Sequence, residues 1–170
     1  MNWKSSGAKN SRLRMQIQLI NVAQKFPAWV DEACNDYLKR LPRELSLKQV
    51  TIPLPARKSQ QSPARQQQRE SELILEKLAA GSLNIALDER GEQWSSADWS
   101  KSLQRWMFEF PRVNLVIGGP DGLSADCIGA CQHRVSLGRM TMPHALVKVV
   151  LVEQLYRAWT ILQGHPYHRE

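Results

Sequence analysis

The chain has 170 residues, of which 42% are hydrophobic, and its 23 basic and 16 acidic residues give a formal net charge of +7. This is enough for one ordinary domain with a sizeable core, and the composition fits a soluble globular protein. The cysteines Cys34, Cys127 and Cys131 lack the spacing of a disulfide framework. No signal peptide or uncharged membrane-spanning run is recognised, so a cytoplasmic location is expected.

The basic charge is unevenly distributed along the chain. Residues 1–14 carry four bases and no acid, whereas the remaining 156 residues carry 19 bases and 16 acids. The first segment is also polar and aperiodic, which predicts a disordered basic extension over 1–14 and a single domain over 15–170. Because that domain is only mildly basic, any contact with nucleic acid is expected to use local patches or a tail.

The first half of the domain alternates between strand-like and helix-like patterns. Apolar and polar residues alternate over 15–22, which predicts a strand, and Pro27 opens a predicted amphipathic helix over 27–41. A second strand is predicted over 47–52. The Pro- and Gln-rich stretch 53–70 begins as a loop and is predicted to pass into a helix that ends near 80–81.

The second half continues the alternation. The patterns predict strands over 83–88, 113–119 and 135–137, helices over 96–110 and 143–162, and a short helix near 124–132, with Gly164 ending the last helix. Strands that alternate with helices throughout predict an α/β fold, with a mostly parallel sheet flanked by helices.

The last helix is apolar on nearly all sides. Its polar residues are Lys148, Glu153, Gln154, Arg157 and Thr160. Such a helix is buried on more than one side. In so small a domain this predicts that one side is a subunit interface, and hence a homodimer.

Three loops are candidate ligand-binding segments, because open α/β sheets bind ligands at the carboxyl ends of their strands. Glycines at 118, 119 and 122 allow a ligand close to the backbone, although an ordinary tight turn remains an alternative. The stretch "SLGRMTMPH", 136–144, suits a flat heteroaromatic ring; the alternative is an ordinary connection in which Met140 and Met142 fill the core. A third loop is predicted to begin at Leu87 and Asp88.

Side chains that can move protons concentrate near the C-terminus. All four histidines lie in the last 38 residues. His133 is interpreted as structural, His144 is placed to donate to a loop carbonyl, and His168 belongs to the dense terminal stretch "GHPYHRE". Cys127 and Cys131, one helical turn apart, are interpreted as a core pair rather than zinc ligands, and no metal signature is recognised.

These segments resemble one family. The stretches "LVIGGPDGLS", "VSLGRMTMPHALVKVVLVEQLYRAW" and "HPYHRE" are similar to the RlmH family of rRNA large-subunit pseudouridine methyltransferases, which belongs to the SPOUT class. The resemblance covers about 15–170, and the terminal block is its most specific part. It implies a C-terminal trefoil knot, an obligate homodimer and S-adenosylmethionine as cofactor. The implied reaction methylates N3 of a pseudouridine in 23S rRNA of the assembled ribosome.

The resemblance also implies roles for individual residues. The implied cofactor-binding residues are Leu87, Gly118, Leu137, Gly138, Arg139, Met140, Thr141 and Met142. Our hypothesis is that Arg157, Tyr167 and His168 lie at the mouth of the site and orient the target base or its phosphate. The alternative is that Tyr167 and His168 only pin the last helix across the dimer.

RNA contact and two other functions stay open at this point. Candidate phosphate contacts are Arg57, Lys58, Arg65, Arg69, Arg134 and Arg139, each of which is equally compatible with solvated surface charge. One alternative function is a ribosome-associated binding protein that has lost catalysis, which the intact "GGP" and "LGRMTMPH" stretches argue against. The other is a knotted tRNA methyltransferase, although no added RNA-binding segment is recognised.

Overall fold

The computed structural model describes residues 14–56 and 62–168. The predicted basic extension lies outside these ranges, except for Arg14. The elements are β1 (Met15–Ala23), α1 (Ala28–Leu38), β2 (Leu45–Pro53), α2 (Pro63–Leu75), β3 (Leu83–Gln93), α3 (Ser96–Glu109), β4 (Arg112–Ile117), α4 (Ala125–Gly129), β5 (His133–Ser136) and α5 (His144–Leu162). Every predicted strand and helix is found, in the predicted order.

The strands form one five-stranded parallel sheet in the order β2-β1-β4-β3-β5. Alternate strand residues point to opposite faces. Ile17, Leu19 and Leu115 pack with helices α1, α3 and α5, whereas Ile20 and Val116 pack with α2 and α4. The predicted α/β fold is therefore confirmed as a sheet between two helical layers. The predicted trefoil knot does not follow from the strand order and stays a prediction.

Several predicted boundaries were wrong. Helix α2 ends at Leu75, not near 80–81, and Gly81 then turns the chain with a φ of 77°. Strand β3 runs on to Gln93, well past residue 88. A register shift separates the pairs Leu87↔Val135 and Glu92↔Val135, so the residues between them bulge out of the ladder. A bulge of this kind breaks the alternation that sequence reading depends on.

Helix α5 is the element whose composition predicted a subunit interface. Within one chain it packs on the sheet and also against α1 and α3, where Ser100 Oγ donates to the carbonyl of Ala158 at 3.0 Å. Lys148 is only 2% exposed; its Nζ lies 3.5 Å from Asp31 Oδ1 and 4.5 Å from the centre of the Phe26 ring. Because neighbouring helices already cover much of α5, its apolarity alone does not establish a dimer, which stays a prediction.

Candidate active site

A cavity of about 460 Å³ lies where β3, β4 and β5 end. Three segments line it: Leu87 with the residues that follow, the turn 117–123, and the stretch from Arg134 to His144. Seven of the eight predicted cofactor residues line this cavity, namely Leu87, Gly118, Leu137, Gly138, Met140, Thr141 and Met142. Arg139 is exposed and is not among the lining residues. The three loops chosen from the sequence thus meet at one place.

The turn after β4 is tight. The N–H of Gly122 donates to the carbonyl of Gly119 at 2.9 Å, with Pro120 in the second position that such turns favour. A Cβ on Gly118 would lie 2.6 Å from the carbonyl carbon of Gly122, and Gly122 itself has a φ of 79°. The two interpretations of this segment are therefore compatible, since it is a tight turn whose backbone also forms a cavity wall.

The loop between β5 and α5 is held by a serine at its start. Ser136 Oγ donates to the carbonyl of Gly138 at 2.9 Å and accepts from its N–H at 3.2 Å, while Gly138 has a φ of 134°. Met140 is 78% exposed at the cavity. It is therefore not a core filler, which removes that part of the alternative interpretation of this loop.

His144 joins two of the three segments. It is the first residue of α5, it lines the cavity, and it is hydrogen-bonded to the backbone of Gly118. Burial lowers the pKa of this imidazole, and the hydrogen bond to Gly118 partly opposes the shift. Donation of a ring N–H to a carbonyl has this opposing effect. The position of His144 beside the backbone of Gly118 agrees with its expected donation to a loop carbonyl.

The terminal residues gather around Glu153 of α5. Arg157 Nε and Nη2 donate to Glu153 Oε1 at 2.9 and 2.7 Å, and the Tyr167 hydroxyl donates to the same oxygen at 3.0 Å. The Arg157 guanidinium also lies 4.9 Å from the centre of the Tyr167 ring. Burial, followed by hydrogen bonds with Tyr37 and Glu153, raises the pKa of Tyr167. The tail is thus held against its own helix.

The tail and the cavity contact different parts of α5: the cavity is at its start, and Tyr167 is held at Glu153 in its middle. His144 lines the cavity, whereas Arg157, Tyr167 and His168 do not. Arg157 comes 13 residues after His144, which at 1.5 Å per residue places it about 20 Å farther along the helix. One chain therefore does not bring the hypothesised catalytic residues to the predicted cofactor residues.

Comparisons with known proteins agree with this geometry. The model of the family described as "Predicted SPOUT methyltransferase" matches residues 15–168. The chain belongs to the SPOUT methyltransferase family. Relatives named "Ribosomal RNA large subunit methyltransferase H" include one from Hahella chejuensis, 46% identical over 92% of this chain and all of its own length. One from Ectopseudomonas mendocina is 43% identical over 91% of this chain and all of its own length.

A solved structure shares the fold. It is the crystal structure of a methylase family protein from Neisseria gonorrhoeae, with a TM-score of 0.52 and 17% identity over 88% of this chain and 84% of that one. Membership of the SPOUT family implies a methyl donor as cofactor. The cavity volume of this SPOUT protein, about 460 Å³, falls within the usual range for small-molecule sites.

The candidate RNA contacts of this SPOUT protein differ in their surroundings. Arg65 and Arg69 are exposed and one turn apart on α2, and Arg139 is exposed on the cavity loop. Arg134 is instead paired, with its Nη2 2.6 Å from Asp88 Oδ1 on the cavity wall. Arg57 and Lys58 lie outside the described residues. The exposed candidate RNA contacts thus lie on α2 and on the loop between β5 and α5.

The cysteines and His133 pack as structural residues. Cys127 is buried in the core and Cys131 packs against it; burial raises the pKa of Cys127 to about 11 and that of Cys131 to about 12. This confirms their interpretation as a core pair. His133 stacks edge-on against Trp94 at 5.8 Å, as expected for a structural histidine. Within 14–56 and 62–168, no group of three or more His, Cys, Asp or Glu residues could hold a metal ion. In the same ranges, no helix is long and apolar enough to cross a membrane.

Sequence reasoning missed two residues that support the site. Glu153 was noted only as a polar residue of α5, yet it holds both Arg157 and Tyr167. Its spacing of four residues from Arg157 was a signal that could have found it. Gln67 lines the cavity from α2, although its place in a glutamine run gave no such indication.

Proposed function

We propose that this chain transfers a methyl group from S-adenosylmethionine to N3 of a pseudouridine in 23S rRNA of the assembled ribosome, in the cytoplasm. The observation that carries the proposal is the single cavity formed by three strand-end loops, one of which approaches it with the bare backbone of Gly118. The names of relatives that match along their whole length support RNA of the large ribosomal subunit as the substrate.

The residues at the cavity fit this cofactor. Leu87, Ile117, Leu137 and Val147 offer apolar walls for a flat base. Gly118 lets the turn close against the cavity, because any side chain there would collide with the backbone of Gly122. The backbone of 137–142 supplies polar groups for the edge of the base. We expect Arg139, which does not line the cavity, to face the RNA instead.

The chemistry needs positioning more than acid–base strength. When bound, S-adenosylmethionine supplies an electrophilic methyl group on a sulfonium. The attacking N3 of pseudouridine carries an imide proton and becomes strongly nucleophilic only as that proton passes to water; as the N3–CH3 bond forms, the S–CH3 bond breaks and S-adenosylhomocysteine leaves. The protein must therefore hold the base in line with the methyl group and stabilise the developing negative charge. A cation such as Arg157 and the donors of Tyr167 and His168 suit that role.

We further propose that the partner subunit supplies these three residues. In one chain Arg157 lies about 20 Å along α5 from His144, and the Tyr167 hydroxyl is held at Glu153, which is roughly 14 Å along α5 from His144. If two copies of α5 pack antiparallel across a two-fold axis, the end of each helix meets the start of the other. Leu146 near that start is 42% exposed, and Trp29 on α1, which packs against α5, is 47% exposed, so both offer apolar surface for such packing. Glu153 would then hold Arg157 and Tyr167 ready for the neighbouring cavity.

Methyl transfer to assembled ribosomes, compared with naked 23S rRNA and with tRNA, tests the proposal. Each substrate is used with and without prior pseudouridylation, and a variant that lacks residues 167–170 is assayed beside the full chain. We expect transfer only to pseudouridylated ribosomes and its loss in the truncated variant. Transfer to tRNA would favour a tRNA methyltransferase, and failure to bind S-adenosylmethionine in calorimetry would favour a silent binding protein. A wild-type rate after truncation would remove the tail from catalysis.

A further inference from the structure

Three consecutive glutamines on the first turns of α2, Gln66 to Gln68, each donate hydrogen bonds to a different part of the molecule. Gln66 Nε2 donates to the carbonyl of Pro55 and to Glu70 Oε1, both at 2.9 Å. Gln68 Nε2 donates to Asp126 Oδ2 at 3.1 Å. A run that resembles a polar linker in the sequence is therefore a set of specific contacts.

The middle glutamine reaches the cavity turn. Gln67 Nε2 donates to the carbonyl of Asp121 at 2.6 Å and to that of Leu123 at 3.3 Å. These carbonyls lie on either side of Gly122, the residue with a φ of 79°. A primary amide has two N–H groups and can satisfy both acceptors at once. Gln67 itself also lines the cavity.

The rest of this helix face supports the same turn. Ser71 Oγ accepts from the N–H of Ser124 at 3.0 Å. Glu70 is 1% exposed, and a Cβ added to Gly119 would lie 2.0 Å from its Oε2. Polar side chains of α2 thus contact the turn at Asp121, Leu123 and Ser124, and Gln67 does so from the cavity wall. Directional hydrogen bonds fix a backbone shape more closely than apolar contacts, which are non-directional.

We propose that Gln67 is a positioning residue of the methyl-donor site: its two donated hydrogen bonds hold the turn 118–123 in the shape that binds the donor. This inference rests on the proposed function, because it assumes that the cavity holds S-adenosylmethionine. Gln67 acts through the backbone of Asp121 and Leu123, and it takes no part in the transfer itself.

Calorimetric titration of the full-length chain with S-adenosylmethionine tests the inference in four variants. Q67L removes both donors and keeps most of the volume, so we expect the Kd to rise about tenfold. Q67E sets a carboxylate against two carbonyl oxygens and should bind more weakly than Q67L. Q67K keeps a donor that reaches both carbonyls and should stay within about threefold of wild type. The control Q68L loses a bond outside the turn and should leave the Kd within about twofold.

The order of affinities separates positioning from simple support of the fold. Melting temperatures are measured for each variant, and the KM for ribosomes is expected to change less than the Kd for S-adenosylmethionine. If Q67L and Q67E bind as tightly as wild type, whatever their melting temperatures, the inference is wrong and the proposed function stands. If Q67K binds as weakly as Q67E, the donor argument fails. If the wild-type chain binds no S-adenosylmethionine, the proposed function falls first and the inference falls with it.

Discussion

A dimer assembled from two differently damaged subunits should recover activity that neither subunit has alone. One subunit carries G118V, which places a branched side chain where even a Cβ would lie 2.6 Å from the backbone of Gly122. The other lacks residues 167–170 and keeps an intact cavity. Each homodimer should be inactive, because the first cannot bind the donor and the second has no tail.

The expected recovery follows from the geometry of α5. Since Tyr167 is held at Glu153 and does not line the cavity of its own chain, a working site combines the cavity of one subunit with the tail of its partner. Random mixing at equal amounts makes half of all dimers mixed, and each mixed dimer has one intact site out of two. Per site, activity should therefore reach about 25% of wild type in a two-fold dimer.

The assay is transfer of a radiolabelled methyl group to ribosomes after the two variants are co-expressed, with differently tagged subunits to confirm mixing. Activity no higher than the sum of the separate variants, at confirmed mixing, would refute the reasoning, because a tail that serves its own cavity cannot be rescued by a partner. If the G118V chain still binds S-adenosylmethionine, a variant with a larger side chain at position 118 is used instead.

Three further predictions concern other features of the fold. Burial lowers the pKa of His144 in the folded chain below its ordinary 6.5. The unfolded chain therefore binds more protons just below that pH, and stability should fall as the pH drops below about 6.5. In H144Q the melting temperature measured from pH 8 to 5 should depend less on pH. K148M should melt within a few degrees of wild type or higher, since an apolar side chain of similar length can replace a buried cation. D31N should lower the free energy of unfolding, measured by chemical denaturation, by only about 1 kcal/mol, because the Asp31 side chain is 60% exposed and screened by solvent. Replacing Arg65 and Arg69 with alanine should weaken ribosome binding and reduce its salt dependence by about two ion contacts in filter binding, while an unchanged salt slope would exclude them as phosphate contacts.

The site loops were predictable because their signals are local. A buried strand followed by glycines, as at Gly118, indicates a turn at a strand end, and parallel strands bring such ends together. The order of elements followed from periodicity for the same reason. The specific residues of the cavity came from family resemblance, and the structure places all of them but Arg139 on its wall.

The features that the sequence did not predict depend on contacts between segments far apart in the chain. Nothing near Lys148 in the sequence indicates that Asp31, 117 positions away, and the Phe26 ring surround its ammonium group. The glutamine run gave no periodic signal, because Gln67 acts through a bond to a segment 54 positions later. The extension of β3 beyond residue 88 was not predicted, because a bulge interrupts the pairing of β3 with β5.

Helix α5 connects the two halves of the proposed chemistry. Its first residue, His144, lies beside Gly118 in the cavity wall, and Glu153 in its middle turns holds Arg157 and Tyr167. A rigid helix fixes the separation of His144 from Glu153 and Arg157, and the hydrogen bond to Glu153 holds Tyr167 away from the cavity of its own chain. If the tail acts on the substrate, self-association is then a condition of catalysis and not only of stability. Activity per subunit should accordingly fall on dilution at the same concentration at which the dimer dissociates, and the full chain should show no activity as a monomer.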